Sequence, residues 1–133
     1  MILDDLNDFL TTGGIATGGT NLFVGDRMPD SPDELVMIRS TQGRASMRTF
    51  GLSVGAVVLD YPSFQVEVRS STYTGADTLM RSVRGALDHL SNQTINGKVY
   101  HHIEAMQSEP IPMGLDESRR HSVVLNFQAI KDR

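Results

Sequence analysis

The chain has 133 residues, a formal net charge of -4 and no cysteine. A domain of this length buries roughly two-thirds of the surface its unfolded chain would expose, so one core can form without staples; disulfides and thiolate metal sites are excluded. No apolar run approaches the ~18–20 residues that cross a membrane. The start, Met1 to Leu6, lacks the basic stretch of a signal peptide, which predicts a soluble protein retained in the cell that makes it. The charge is segregated. Residues 1–38 carry seven acids against one base, Arg27, whereas residues 39–133 carry eleven bases and nine acids. Such a distribution suits head-to-tail contact between copies, or is an uneven solvated surface. It lacks the basic face of a dedicated nucleic-acid binder.

In chain order, Ile2, Leu3, Leu6, Phe9 and Leu10 recur at helical spacing with acids between them, which predicts an amphipathic first helix. Asp4 and Asp5 lie in its first turn, where carboxylates favour the helix dipole, and Gly13-Gly14 stops it. Asn21 to Gly25 reads as a short buried strand. The two prolines of Met28-Pro29-Asp30-Ser31-Pro32-Asp33 bracket a turn, and Glu34 to Ser40 follows as a second strand.

Residues 41–62 mix Gly43, Gly51 and Gly55 with Arg44 and Arg48 and with apolar Met47, Phe50, Leu52, Val54, Val57, Val58 and Leu59. They are too long and glycine-rich for an ordinary connection, yet too apolar to rest in water. The reading is an extended loop or long hairpin arm that contacts a neighbour; the competing reading is an arm folded back onto its own sheet. Candidate interface residues are Arg44, Arg48, Phe50, Leu52, Val54, Val57 and Arg69.

Phe64 to Arg69 alternates strictly, with Phe64, Val66 and Val68 inward and Gln65, Glu67 and Arg69 outward. A second helix opens at Thr74 or Gly75 with a stripe of Ala76, Leu79, Met80, Val83, Leu87 and Leu90; Asp77 and Arg81 form an i,i+4 pair. Asn96-Gly97 makes a hairpin turn. Tyr100 to Gln107 is a strand, Pro110 to Glu117 a loop, and Arg120 to Ile130 a last strand. The expected core is Phe64, Val66, Val68, Leu79, Val83, Leu87, Val123, Leu125 and Phe127. The fold class is α+β, with two helices packed on one face of a mainly antiparallel (mixed) β-sheet and an arm at about 41–62. No repeat or internal domain boundary is visible.

Little in the chain suggests catalysis. His101 and His102 point to opposite faces of a strand and cannot easily share a metal. His102 and Glu104 share a face but are too few ligands. Asp60, Glu67 and Arg69 faintly echo a metal-dependent nuclease, though Arg69 stands where such chemistry usually uses a lysine. The glycine pairs at 13–14 and 18–19 follow a helix and precede a strand, the reverse of a phosphate loop, and no lysine accompanies them. No Gly-x-Ser-x-Gly elbow occurs. The sequence predicts no enzyme, no metal and no cofactor.

The order of signals goes further than composition. A short amphipathic helix is followed by Asn21-Leu22-Phe23-Val24-Gly25, by Met28-Pro29-Asp30 through Val36-Met37-Ile38, and by Phe64 to Arg69. Then come the helix from Ala76, the Gly97 turn, Pro110, Gly114-Leu115, Asp116-Glu117, Arg119-Arg120 and a strand through Asn126-Phe127. This set resembles the tail terminator (minor capsid) proteins of long-tailed bacteriophages, including the lambdoid type, over nearly the whole chain. Residues 43–61 are longer than that pattern leads one to expect. The resemblance implies one domain over 1–133 and a structural virion protein at the tail-neck junction, assembled in the host cytoplasm. It implies a ring of six copies that caps the tail tube, meets the tube protein and the head-completion protein, and passes DNA through its lumen without specific binding. Rival readings are another neck component, such as a head-tail joining protein, and a small metal-dependent nuclease or hydrolase.

Overall fold

A computed structural model describes residues 2–25, 27–48 and 58–132. The elements are α1 (Ile2–Thr12), β1 (Leu22–Val24), β2 (Leu35–Ser40), β3 (Arg44–Arg48), β4 (Val58–Tyr61), β5 (Ser63–Ser70), α2 (Tyr73–Leu87), β6 (Leu90–Ile95), β7 (Lys98–Ala105), β8 (Ile111–Leu115) and β9 (His121–Asp132). The fold is α+β: among the described residues nine strands form one mixed sheet, with both helices on its core face. The short pairing of β1 with β2 is parallel; β2 with β5, and every partner of β9, run antiparallel.

Strand β9 organises the sheet. One of its edges pairs with β5 along His121–Gln128 and then with β4 at Lys131 and Asp132. Its other edge pairs with β8 near His121–Val124 and with β7 near Phe127–Lys131. Alternation puts Val123, Leu125, Phe127 and Ala129 on the core face, all buried. Opposite them on β5 lie Phe64, Val66 and Val68, also buried, and the cross-strand partners Phe64 and Phe127 stack with ring centroids 5.1 Å apart.

Helix α2 starts at Tyr73 because Thr72 caps it, its hydroxyl accepting from the Gly75 N–H at 3.0 Å. Its stripe of Ala76, Met80, Val83 and Leu87 is buried, while Leu79, expected in the core, is half-buried against it. Helix α1 buries Ile2, Leu3, Leu6 and Leu10. Asp5 is buried as well: its carboxylate accepts from the Tyr100 hydroxyl at 2.5 Å and from the Asn96 amide at 3.0 Å, and that amide also donates to Asp8 at 2.9 Å. Burial, with the Asp5 carboxylate beside it, pushes the Tyr100 phenol well above its ordinary pKa, so it stays a donor. Helix α1 is thereby tied to the β6–β7 hairpin.

Three expectations are corrected. Residues 110–117 are not a loop, because Ile111–Leu115 pairs with β9 as an edge strand, where Pro112 is tolerated. The stripe of α2 ends at Leu87, and Leu90 begins β6. Asp88 causes the break. Its side chain accepts from the Ala105 N–H at 2.8 Å and from Arg84 Nε at 3.2 Å, fixing the helix end to β7. Arg69, expected to face water, is buried beneath the turn at 30–33.

Leu87→Ala should destabilise the chain by about 2–5 kcal/mol, as at other fully enclosed leucines; denaturant unfolding showing a loss below about half a kcal/mol would contradict the packing. Burial raises the Asp88 pKa, but the Ala105 N–H and Arg84 outweigh it, and the carboxyl sits below its ordinary 3.8. A depressed folded pKa contributes stability above the ordinary value, lost as pH falls through the folded one. Asp88→Asn should therefore lower the melting temperature near neutrality and differ less from the parent at about pH 3; a gap that widens in acid would refute the role.

Candidate assembly interface

Strands β3 and β4, at the base of the expected arm, extend the central hairpin. Strands β4 and β5 form one line interrupted at Pro62: Leu59 with Asp132, Asp60 with Lys131 and Ser63 with Gln128 share a single register along β9. The Ala129 N–H donates to the Pro62 carbonyl at 2.9 Å, so the ladder passes the proline unbroken on that side. Across from it, β2 runs on into β3, with the Thr41 N–H donating to the Ser63 carbonyl at 2.9 Å. Between them Gln42 and Gly43 take the left-handed conformation, φ 77° and 89°. A Cβ at Gly43 would lie 2.1 Å from the Tyr61 carbonyl oxygen, so only glycine lets the two strands close here.

The base of the arm thus belongs to the chain's own sheet. There the Arg44 guanidinium lies 4.4 Å above the Tyr61 ring, and Arg48 ends β3. Phe50, Leu52, Val54 and Val57 lie outside the described residues.

Arg69 serves the interior. Its Nη2 donates to the carbonyls of Asp30 (3.1 Å) and Pro32 (2.7 Å), and its Nε to that of Asp33 (3.3 Å). Arg120 adds hydrogen bonds to the Asp30 carbonyl and to Asp116, the latter at 2.8 Å. The pair clamps the proline turn onto the outer face of β5 and β9. Glu67, of the supposed carboxylate pair, is held by Arg39 at 2.7 Å. His101 pairs with Asp132 at 2.7 Å, and His102 with Glu104 at 3.1 Å. Among the described residues no group of three or more His, Asp or Glu side chains could hold a metal. No helix among them is long and apolar enough to cross a membrane.

The sheet leaves β1, β3, β6 and β8 at its edges, and they differ in how open they are. The β1 edge is three residues long. The β8 edge carries exposed Ile111, Met113 and Leu115 but also Pro112, and its register shifts between Pro112 and Gly114. The β3 edge bears Arg44 and Arg48. The β6 edge, Leu90-Ser91-Asn92-Gln93-Thr94-Ile95, has no charge, no proline and four successive exposed residues. Beside it, an open groove of about 410 Å³ runs between α1, α2 and β6, lined by Phe9, Leu10, Ile15, Ala86 and Ile95 with Asp8 at its rim.

Among the described residues the candidate side chains Glu67, His101 and His102 are held in separate pairs and do not converge. The model of the family described as bacteriophage tail terminator protein matches residues 5–133. The chain belongs to the bacteriophage tail terminator family. Among solved structures, a chain from the virion of a native gene transfer agent particle is similar, at a TM-score of 0.56 and 12% identity over 86% of this chain and 81% of that one. At that identity the likeness is one of fold. No curated protein matches the chain.

Sequence reading missed the groove, because it joins α1 to a strand that carries no alternation. It missed Asp5 too, since a helical acid two positions from Asn7 looks like any solvated one. Gly43→Ala should cost about 1–3 kcal/mol, the usual penalty of forcing a side chain into such a conformation, and should loosen the arm at its base. Denaturant unfolding that leaves stability within about half a kcal/mol would show the base to be adaptable.

Proposed function

We propose that this terminator-family chain forms a ring of six copies that caps the phage tail tube and joins it to the head-completion protein of the neck. The observation that carries the reading is the family match across 5–133. The geometry supports it. Unlike edges stand on opposite sides of β9, and contacts between unlike patches generate rings when the rotation closes. The net charge of -4 suits a lumen through which DNA must slide, since phosphate contacts dominate the affinity of basic proteins for DNA. The chain would act at the tail-neck junction of the virion, after assembly in the host cytoplasm, through shape and not through catalysis.

Electron microscopy of particles made without the protein tests this. Overlong or unstable tails are expected. Tails of normal length that never join heads would instead assign the chain to head-tail joining and overturn the capping role.

A further inference from the structure

Proteins usually blunt their free strand edges, with proline, charge, bulges or brevity, because an open edge invites another strand. By that standard two of the four edges among the described residues are guarded, β1 by its length and β8 by Pro112 and its register shift; β3 carries two arginines, which turn away basic or neutral partners but suit an acidic one. The β6 edge has no charge and no proline, and its one irregularity is Asn92, in the left-handed conformation at φ 51°. It lies against the apolar groove, whose walls Phe9 and Ile15 are only half-buried. Acid borders the groove: exposed Asp8 lines it, Asp4 is exposed one turn earlier on α1, and no base occurs before Arg27.

We infer that the β6 edge and the α1 groove receive the arm of a second copy of this chain. Charge complementarity selects that occupant. Residues 44–59 carry two bases and no acid, and residues 49–57, Thr-Phe-Gly-Leu-Ser-Val-Gly-Ala-Val, are uncharged and include four large apolar side chains. Strand β3 lies along β6 of the next copy, adding a strand to an exposed edge. The uncharged stretch beyond it fills the groove, and Arg44 and Arg48 meet Asp4 and Asp8. The geometry allows repetition, because β6 and β3 are the two ends of the strand run β6-β7-β9-β4-β3. Each copy thus offers a donor edge on one side and an acceptor on the other, a head-to-tail contact that closes into a ring. This inference rests on the ring reading and names the surfaces that would build it.

The lack of cysteine makes the test clean. Four strand spacings separate β3 from β6 within one subunit, roughly 19 Å, far beyond the ~7 Å Cα separation a disulfide can span. Arg48→Cys with Gln93→Cys can therefore link only different copies, and Arg48→Cys with Met113→Cys probes the β8 edge instead. Under mild oxidation of the full chain, the first pair should give a ladder of cross-linked species and the second none. Gln93→Lys with Thr94→Lys, both exposed, should leave the thermal transition in place and raise the concentration needed for assembly at least about tenfold. Sedimentation velocity reads the assembly itself. If copies assemble but the first pair gives no ladder, if the second pair gives one, or if the lysine variant assembles like the parent, the docking surface is wrong and the ring stands. A chain that stays monomeric at every concentration, with no ladder from either pair, overturns the ring and the docking together.

Discussion

Everything in this molecule hangs on the ladders of one strand. β9 is twelve residues long and carries four partners: β5 and β4 in turn along one edge, β8 and β7 along the other. Its inward residues supply the centre of the core, and α2 packs across them and across β5. Because β4 keeps the register of β5, β9 also roots the arm. A slip of one residue would turn Val123, Leu125 and Phe127 to the wrong face and shift the root of the arm with them. The position of β3 and β4 relative to the core is therefore fixed by the same ladders that make the core.

Two residues set how the arm leaves the body. Pro62 ends the paired part of β5 but keeps its carbonyl bonded to Ala129, and Gly43 lets the facing strand approach within contact of Tyr61. On the far side of the sheet, the buried Asp5 and Tyr100, with the exposed Asn96 bonded to the same carboxylate, fix α1 against the β6–β7 hairpin. Such a buried carboxylate is costly unless its hydrogen bonds are made. With them made, it holds in place the wall of the groove beside the β6 edge. The rigid elements thus present two unlike surfaces on opposite sides, which is what a closed head-to-tail assembly requires.

Much of this was legible in the chain itself. The alternation at Phe64 to Arg69 and Val123 to Ala129 marked the two central strands, and both helices showed their stripes. The failures share a cause: information that lies outside the local window. β8 looked like a loop because Pro110, Pro112 and Gly114 are loop residues anywhere but on an edge. β6 was absorbed into α2 because Leu90 falls by coincidence on the helical stripe, while the Asp88 bonds that end the helix reach seventeen residues away to Ala105. Arg69 occupies an outward position in its strand, and only the distant turn at 30–33 covers it. Among the site residues, Arg44 and Arg48 begin and end strand β3, and the groove was not legible, since no local pattern joins α1 to β6.

The most direct test of the account is the native mass of the purified 14.6 kDa chain, taken beside that of a variant in which Arg44 to Val58 is replaced by a short Gly-Ser turn. The account predicts that the parent forms a closed ring of fixed copy number, and that the shortened chain keeps its circular-dichroism signature but remains a monomer. A shortened chain that forms the same ring would contradict the assembly role of the arm, and a parent that never leaves the monomer would contradict the ring.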